Sequence, residues 1–587
     1  MCRVSFIFHS SLFLLLVPQI VYSQDSPAPA TEWISPDALI VVEITRPDAI
    51  LDAAFQDDVV KAVTAIPAYK DLMANSEAQQ AFNLVNYFKG RFECDLPTLI
   101  DKVVGGGITW AIGPNEANLL IIEAKDAKTI EEIHEFFLMN ARNDAEKAGQ
   151  PDRVASAEYR GVTGWRFGPN EAHAIVGNRL LVTNKPDMLK LAMDLRAEPD
   201  QPCFADSESF QEAKRASSQE SVATVYANMG VLKQIPKLQK GLSENENPLA
   251  SLLFAPLQKS LRNANWVSIA AEIQDGAVQF QLTTDGTVGD PSAADGFALP
   301  EVAGEGAMPN FDVPQQIAGI SLYRDLYRYY AAKDELFPER TSGLIFFENM
   351  MGIFFTGRDL TDEVLAETRP EIRVVVAEQR YDSNVGTPSL QLPGFAVVMR
   401  MRDPDKFAPI VEEAWQKAIG LVNFTRGQQA EPGLIIERPT HADITYTKAG
   451  FSAADEQDRA SVNPRHNFQP TLAMPGDYLI LGSCDTLTRD LIDAIGDHGD
   501  VDAMTDTHSI AVIDGPQLAS ILEKNSDAMV RQNMVEDGNT REEAEMQQRI
   551  LRTVLQNVRT ATLHANSTNG QSQLIVRFEL SLPVSVR

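Results

Sequence analysis

The feature that most narrows how this chain can fold is an order of segments that occurs twice, once on each side of residues 285–316. That stretch, DGTVGDPSAADGFALPEVAGEGAMPNFDVPQQ, is rich in Gly, Ala, Pro and Asp and lacks apolar periodicity, the composition of a linker. Each flank opens on a short apolar strand behind a proline: Pro36 then 38–44, and Pro314 then 317–323. A helix follows (47–55; 324–336), then an aromatic-rich helix carrying Phe82, Tyr87 and Phe88 or Phe346, Phe347 and Met350. Asp95-Leu96 and Asp359-Leu360 open the next helices, where a carboxylate can accept the free N–H groups of the first turn. Two strands and a long amphipathic helix come next, at 108–112, 118–123 and 127–144, and again at 372–377, 395–401 and 404–421. In the first of these helices Ile130, Ile133, Phe137 and Leu138 recur at three- and four-residue spacing, one buried face. Hairpins turning at Gly177-Asn178 and Gly476-Asp477 lead into helices 186–195 and 487–495. Each flank closes with a strand (222–227; 509–513), helices and a last hairpin (266–283; 560–582).

Eight correspondences in one order point to an ancient tandem duplication. At 587 residues the chain exceeds the roughly 250–300 residues that one core serves. Strands joined by short hairpins with helices between them predict an α+β fold of two tandem related domains. Each would be a largely antiparallel sheet with helices packed on one face. The expected boundaries are 24–284 and 317–587 around the 285–316 linker.

Residues 1–23 read as a signal peptide. Arg3 supplies the positive n-region, 4–17 the apolar run, Pro18 a break, and Val21-Tyr22-Ser23 the recognition site for cleavage before Gln24. The run is shorter than the ~20 residues of a spanning helix. Cys2 lies ahead of it, which disfavours a lipoprotein signal. No later stretch has 18 uninterrupted apolar residues, so no integral membrane segment is expected after cleavage. Export to the periplasm, cell surface or medium is the expected destination. Lys and Arg total 51 against 81 Asp and Glu, a net charge of −30, which makes nucleic acid and anionic membranes poor partners. A protein or envelope partner remains compatible with it. Beyond the signal region the cysteines are Cys94, Cys203 and Cys484, an odd and widely spaced set with no CxxC pair for zinc or redox work.

The candidate sites are few. Gly-Pro-Asn-Glu-Ala occurs at 113–117 and 168–172, each time after a strand holding a tryptophan, and reads as a turn presenting Glu116 or Glu171. His134-Glu135 opens like HExxH but has Leu138 where the second ligand is required, and Glu131 with His134 lacks the second Glu-x-x-His of a di-iron bundle. His134 is therefore expected on a solvated polar face. Asp497, Asp500 and Asp502 form an acidic loop, a weak calcium-type candidate without EF-hand spacing. Gly105-Gly106-Gly107 precedes a strand, so it is a turn rather than a phosphate cradle. The apolar run 344–355 (LIFFENMMGIFF) is expected in the core. There is no Gly-x-Ser-x-Gly elbow. No catalytic residue and no cofactor are expected.

Ser35-Pro36-Asp37-Ala38 before an apolar strand, the Asp95-Leu96 helix ending at Gly105-Gly106-Gly107 before Ile108-Thr109-Trp110-Ala111, and the Gly177-Asn178 hairpin running to Lys185-Pro186 together resemble a family of large exported bacterial proteins defined only as a domain of unknown function. The second half lacks the triple glycine. The resemblance implies export and architecture, with no activity or catalytic residue attached. The expectation is an exported, non-catalytic binding or structural protein. An exported hydrolase assembled from distant residues and an envelope chaperone or assembly factor are the alternatives.

Overall fold

In a computed structural model the described residues are 28–581, except 66–68, 70–74, 169–170, 244–247, 275, 289–293, 301–303, 338–341, 453–461, 499–502 and 569. The expected signal peptide lies outside them. The strands of the first half are β1 (Ile40–Ile44), β2 (Gly107–Ile112), β3 (Asn118–Glu123), β4 (Ala155–Tyr159), β5 (Val162–Arg166), β6 (Ala172–Val176), β7 (Arg179–Thr183), β8 (Ala223–Asn228), β9 (Trp266–Gln274) and β10 (Ala277–Thr284). After β11 (Gly306–Ala307) come β12 (Gln316–Tyr323), β13 (Thr368–Ala377), β14 (Gly394–Met401), β15 (Ile435–Glu437), β16 (Thr440–His441), β17 (Ile444–Thr445), β18 (Thr447–Gly450), β19 (Thr471–Ala473), β20 (Tyr478–Gly482), β21 (Met504–Thr505), β22 (Thr507–Asp514), β23 (Val558–Thr568) and β24 (Gln571–Leu580).

The fold is mixed α+β, and twenty of these strands form one antiparallel sheet. Its middle is a seam in which β10 pairs β24 from Ala277↔Glu579 to Thr284↔Ser572. Outward from the seam, one side runs β10-β9-β8-β1-β2-β3-β7-β6-β5-β4. The other runs β24-β23-β22-β12-β13-β14-β20-β19-β18-β15. The two orders coincide strand for strand. The halves nevertheless share a sheet, where two separate sheets were expected. Pairing buries the last strand edge of each half, and an unpaired edge would invite association.

Local chemistry sets the element ends. Asp95 accepts the Thr98 N–H at 2.9 Å and Asp126 that of Thr129 at 2.8 Å, which caps two helices of the first half. Asp403 caps the helix Pro404–Gln428 in the same way, through Lys406. Asp359 caps a short helical turn, Leu360–Val364, at the Asp-Leu pair expected to open a helix. Gly177 and Gly476 take φ of 62° and 61° at their hairpin turns, values that favour glycine.

The buried apolar clusters stay within one half each. Trp33, Leu119, Ile121, Leu181, Phe204 and Trp266 anchor the first, and Val375, Val398, Ile480, Leu487 and Leu491 a main cluster of the second. Part of the 285–316 stretch is packed: Phe297 and Ala298 are buried, and Met308, Phe311 and Val313 join the second half's core. Helices occupy both faces of the first arm, which corrects the one-face expectation. Side chains alternate across a strand. On β6, His173 meets His134 of the helix Ala127–Lys147, while Ala172 and Ala174 share a cavity with Leu189 of the helix Pro186–Ala197.

Buried Arg324 ties the halves together. It is fully buried and its pKa is pushed down to about 9 by the loss of water. Its Nε donates to the Leu252 carbonyl at 2.6 Å, and its other nitrogens reach Leu253 O, Tyr323 O, His508 O and Ser509 Oγ. Leu252 has a carbonyl to offer because Pro256, four residues on in the helix Pro248–Asn263, brings no N–H to it.

Among the described residues no helix is long and apolar enough to cross a membrane. The helix Ser342–Phe354 was expected in the core, yet only Leu344 is fully buried: Phe346 is 66% exposed, and Ile345, Phe347 and Ile353 are exposed with it. Met and Phe spacing gives a helix one apolar face. It does not say whether anything covers that face.

Candidate functional site

The outer arm of the first half carries a cavity of about 320 Å³ between β4–β6 and the helix Pro186–Ala197. It exists because the sheet positions facing that helix are small. Ala155 and Ala157 on β4, Gly164 on β5, and Ala172 and Ala174 on β6 leave room that larger strand residues would fill. Pro186, Leu189 and Met193 form the helical wall, at the three- and four-residue spacing of one helix face. Tyr159 closes one end, its hydroxyl donating to Asp194 at 2.9 Å, and Arg160 ties Asp194 and Glu198 at 3.0 and 2.6 Å. The charged lining side chains are Arg166 and Lys190, both cations. Neither the cavity nor its walls were read from the sequence. The available signal was the recurrence of small residues at two-residue spacing in Ala155-Ser156-Ala157 and Ala172-His173-Ala174.

The corresponding place in the second half, between β15, β18 and the helix Asp485–His498, holds a cavity of about 290 Å³ of opposite character. Its Lys and Arg side chains are already paired. Arg489 binds Asp485, Lys448 binds Glu437 at 3.0 Å, and Arg380 binds Asp490 at 2.7 Å. A third cavity, of about 300 Å³, lies under the helix Glu208–Ala216 and is lined by hydroxyls and Glu43. Burial pushes the Glu43 carboxyl up and Lys214 partly offsets this.

Behind the first cavity, on the reverse face of β5 and β6, three side chains that the sequence did not connect come together. Glu171, the acid of the second Gly-Pro-Asn-Glu-Ala copy, bonds His173 Nδ1 with one carboxylate oxygen and accepts the Phe167 N–H at 2.9 Å with the other. His173 is 4% exposed, and its Nε2 meets His134 Nε2 at 2.9 Å. His134 is thus half-buried beside Trp165 and Phe167, which corrects the solvated-face expectation. Burial, then the neighbouring imidazole, holds its pKa below the ordinary value. A carboxylate orienting an imidazole is the base half of a hydrolytic triad. Here the imidazole faces a second imidazole, where a nucleophile would be required.

The other sequence candidates separate. Glu116 is in a 3-10 turn whose backbone oxygens hold Asn118 and Asn184, so this loop is turn chemistry. Asp497 ends up exposed near the close of its helix, and Asp500 and Asp502 lie outside the described residues. Gly105-Gly106-Gly107 is the expected helix-to-strand turn. Among the described residues no group of three His, Cys, Asp or Glu side chains is placed to hold a metal. Cys94, Cys203 and Cys484 are free thiols.

No family model matches the chain, so the resemblance to a domain-of-unknown-function family rests on its motifs alone. No curated protein matches in sequence. Among solved structures, crystal form III of the Treponema pallidum protein TP0453 aligns at 10% identity over 48% of this chain and 89% of its own, with a TM-score of 0.26. Crystal form IV aligns at 10% identity over 43% and 79%, with a TM-score of 0.23. Overlaps this loose carry no argument about what this chain does, and its reading stands on its own residues.

Proposed function

We propose that this chain is an exported, non-catalytic binding protein of the periplasm or cell surface, built from two related α+β halves, with its ligand site in the cavity between β4–β6 and the helix Pro186–Ala197. The observation that carries the reading is the cavity itself. Five small sheet residues hold open about 320 Å³ of mostly apolar space, within the range of small-molecule sites. The matching strand orders on the two sides of the seam support the duplication. The n-region, apolar run and cleavage site in 1–23 support export. Against the hydrolase alternative, neither a carboxylate nor an imidazole lines this cavity.

The test is titration of the purified protein with N-phenyl-1-naphthylamine, a neutral apolar fluorophore. A side chain added at Gly164 enters the cavity without backbone strain, since its Cβ meets Ala157 O and Leu189 Cδ2 at 3.7 Å. Saturable binding is expected, lost at least tenfold in Gly164→Phe and Ala157→Trp, both with unchanged circular dichroism. Binding equal in both variants, or no binding, would remove the proposal.

The exposed face of the helix Ser342–Phe354 favours a second reading, docking of an envelope partner as a chaperone or assembly factor would use it. Cross-linking from positions 346 and 353 in the native envelope, with no specific product, would end it.

A further inference from the structure

The cavity under the helix Pro186–Ala197 has an apolar body and a cationic rim, and the rim stands out on a chain whose net charge is −30. Random placement on so acidic a surface would more often put carboxylates there. Instead Arg166 and Lys190 are the charged groups of the lining. Arg166 is exposed and joins no carboxylate among the described residues, while Lys190 has only the solvent-facing Asp187, at 3.2 Å. The equivalent cavity of the second half shows what a self-satisfied site looks like, each of its cations closed by an acid. Two further carboxylates, Asp194 and Glu198, are engaged by Tyr159 and Arg160 at the Tyr159 end.

We propose that the cavity takes an amphiphilic monoanion, an apolar chain or ring system of about ten heavy atoms with one carboxylate-like head, whose body lies against Ala155, Gly164, Ala174, Leu189 and Met193 and whose head pairs with Arg166 and Lys190. This rests on the reading of the cavity as the ligand site and adds the chemistry of what enters it. The size follows from about 320 Å³ at the ~30 Å³ of a water-sized group. The head follows from the rim, because a guanidinium offers a planar fork of donors to a carboxylate and gains more from it than from a neutral oxygen. A cationic amphiphile would bury the same apolar surface but meet like charge at the rim.

Three ligands with the same body separate the contributions: decanoate, decanol and decyltrimethylammonium, each displacing N-phenyl-1-naphthylamine from the full chain at neutral pH and low salt. Decanoate is expected to bind tightest and decyltrimethylammonium weakest. Arg166→Gln and Lys190→Gln should each weaken decanoate about fivefold and leave decanol unchanged. Raising the salt should narrow the gap between decanoate and decanol. Decanol equal to decanoate, or the cation binding tightest, would overturn the inference while leaving the binding site in place. Failure of all three ligands, or binding untouched by Gly164→Phe, would instead overturn the reading of the cavity itself.

Discussion

His134 and His173 face each other through their Nε2 atoms at 2.9 Å, one carried by a helix and the other by β6, with Glu171 holding the far side of His173. Because Glu171 accepts from Nδ1 of His173, the neutral pair has His173 Nε2 as acceptor and His134 Nε2–H as donor. Protonating both rings sets N–H against N–H.

The first prediction is loss of stability in mild acid. Burial and His173 hold His134 below the ordinary pKa of 6.5. His508, fully buried and beside Arg324, is pushed down to about 3, and His466 is lowered by burial. In each case the unfolded chain binds the proton more readily, so stability is complete above about pH 6.5 and falls as the pH drops from there toward the folded values. Thermal melts from pH 8 to 5 should show Tm declining below about 6.5. His134→Gln should make the decline shallower without abolishing it, since His508 and His466 remain. An unchanged slope would refute the role given to His134.

The second concerns Arg324 and Pro256. Arg324→Met leaves several buried carbonyls short of a donor and should cost about 3 kcal/mol. In a Pro256→Ala background the helix supplies an N–H to Leu252, so the same change should cost about 1 kcal/mol less. Denaturant midpoints of the four chains measure the coupling. Strict additivity would mean that the Leu252 bond contributes nothing.

A third lies at Gly286, just past β10. A Cβ there would sit 1.9 Å from the Ser260 carbonyl, and the Gly286 carbonyl accepts from Ser260 and Ser572 at 2.8 and 3.0 Å. Gly286→Ala should destabilise by about 3 kcal/mol or more. Gly168→Ala, where a Cβ meets nothing within 4 Å, should change stability by less than about 0.5 kcal/mol. Equal midpoints for the two variants would contradict the close approach.

The fourth separates an exposed helix from a core one. Phe346→Asp, at a side chain 66% exposed, should leave the midpoint within about 0.5 kcal/mol, whereas Leu344→Ala, at 4%, should lower it by about 2–3 kcal/mol. A large loss from Phe346→Asp would return that face to the interior.

What could be read from the sequence was what neighbouring residues decide together. Asp95 and Asp359 announce their caps within three residues, and Gly177 and Gly476 their hairpins within two. The mixed α+β class follows from such signals. The meeting of His134 with His173 spans 39 residues and depends on which face of β6 turns toward which helix, so single-residue chemistry gave no hint of it. The cavity was missed because an absent side chain leaves no mark on an apolar pattern. Helix 342–354 was misplaced because hydrophobicity records what a face prefers and not whether it is covered.

The seam has a consequence for how such a chain comes into being. β10 can finish its hydrogen-bond ladder only with β24, and Gly286 meets Ser572 across 286 positions. Until residues 571–580 have been made, the first half offers an open edge to any extended segment nearby. Biogenesis should therefore wait on the last strand, with closure of the sheet a slow and late event that a holding factor would protect.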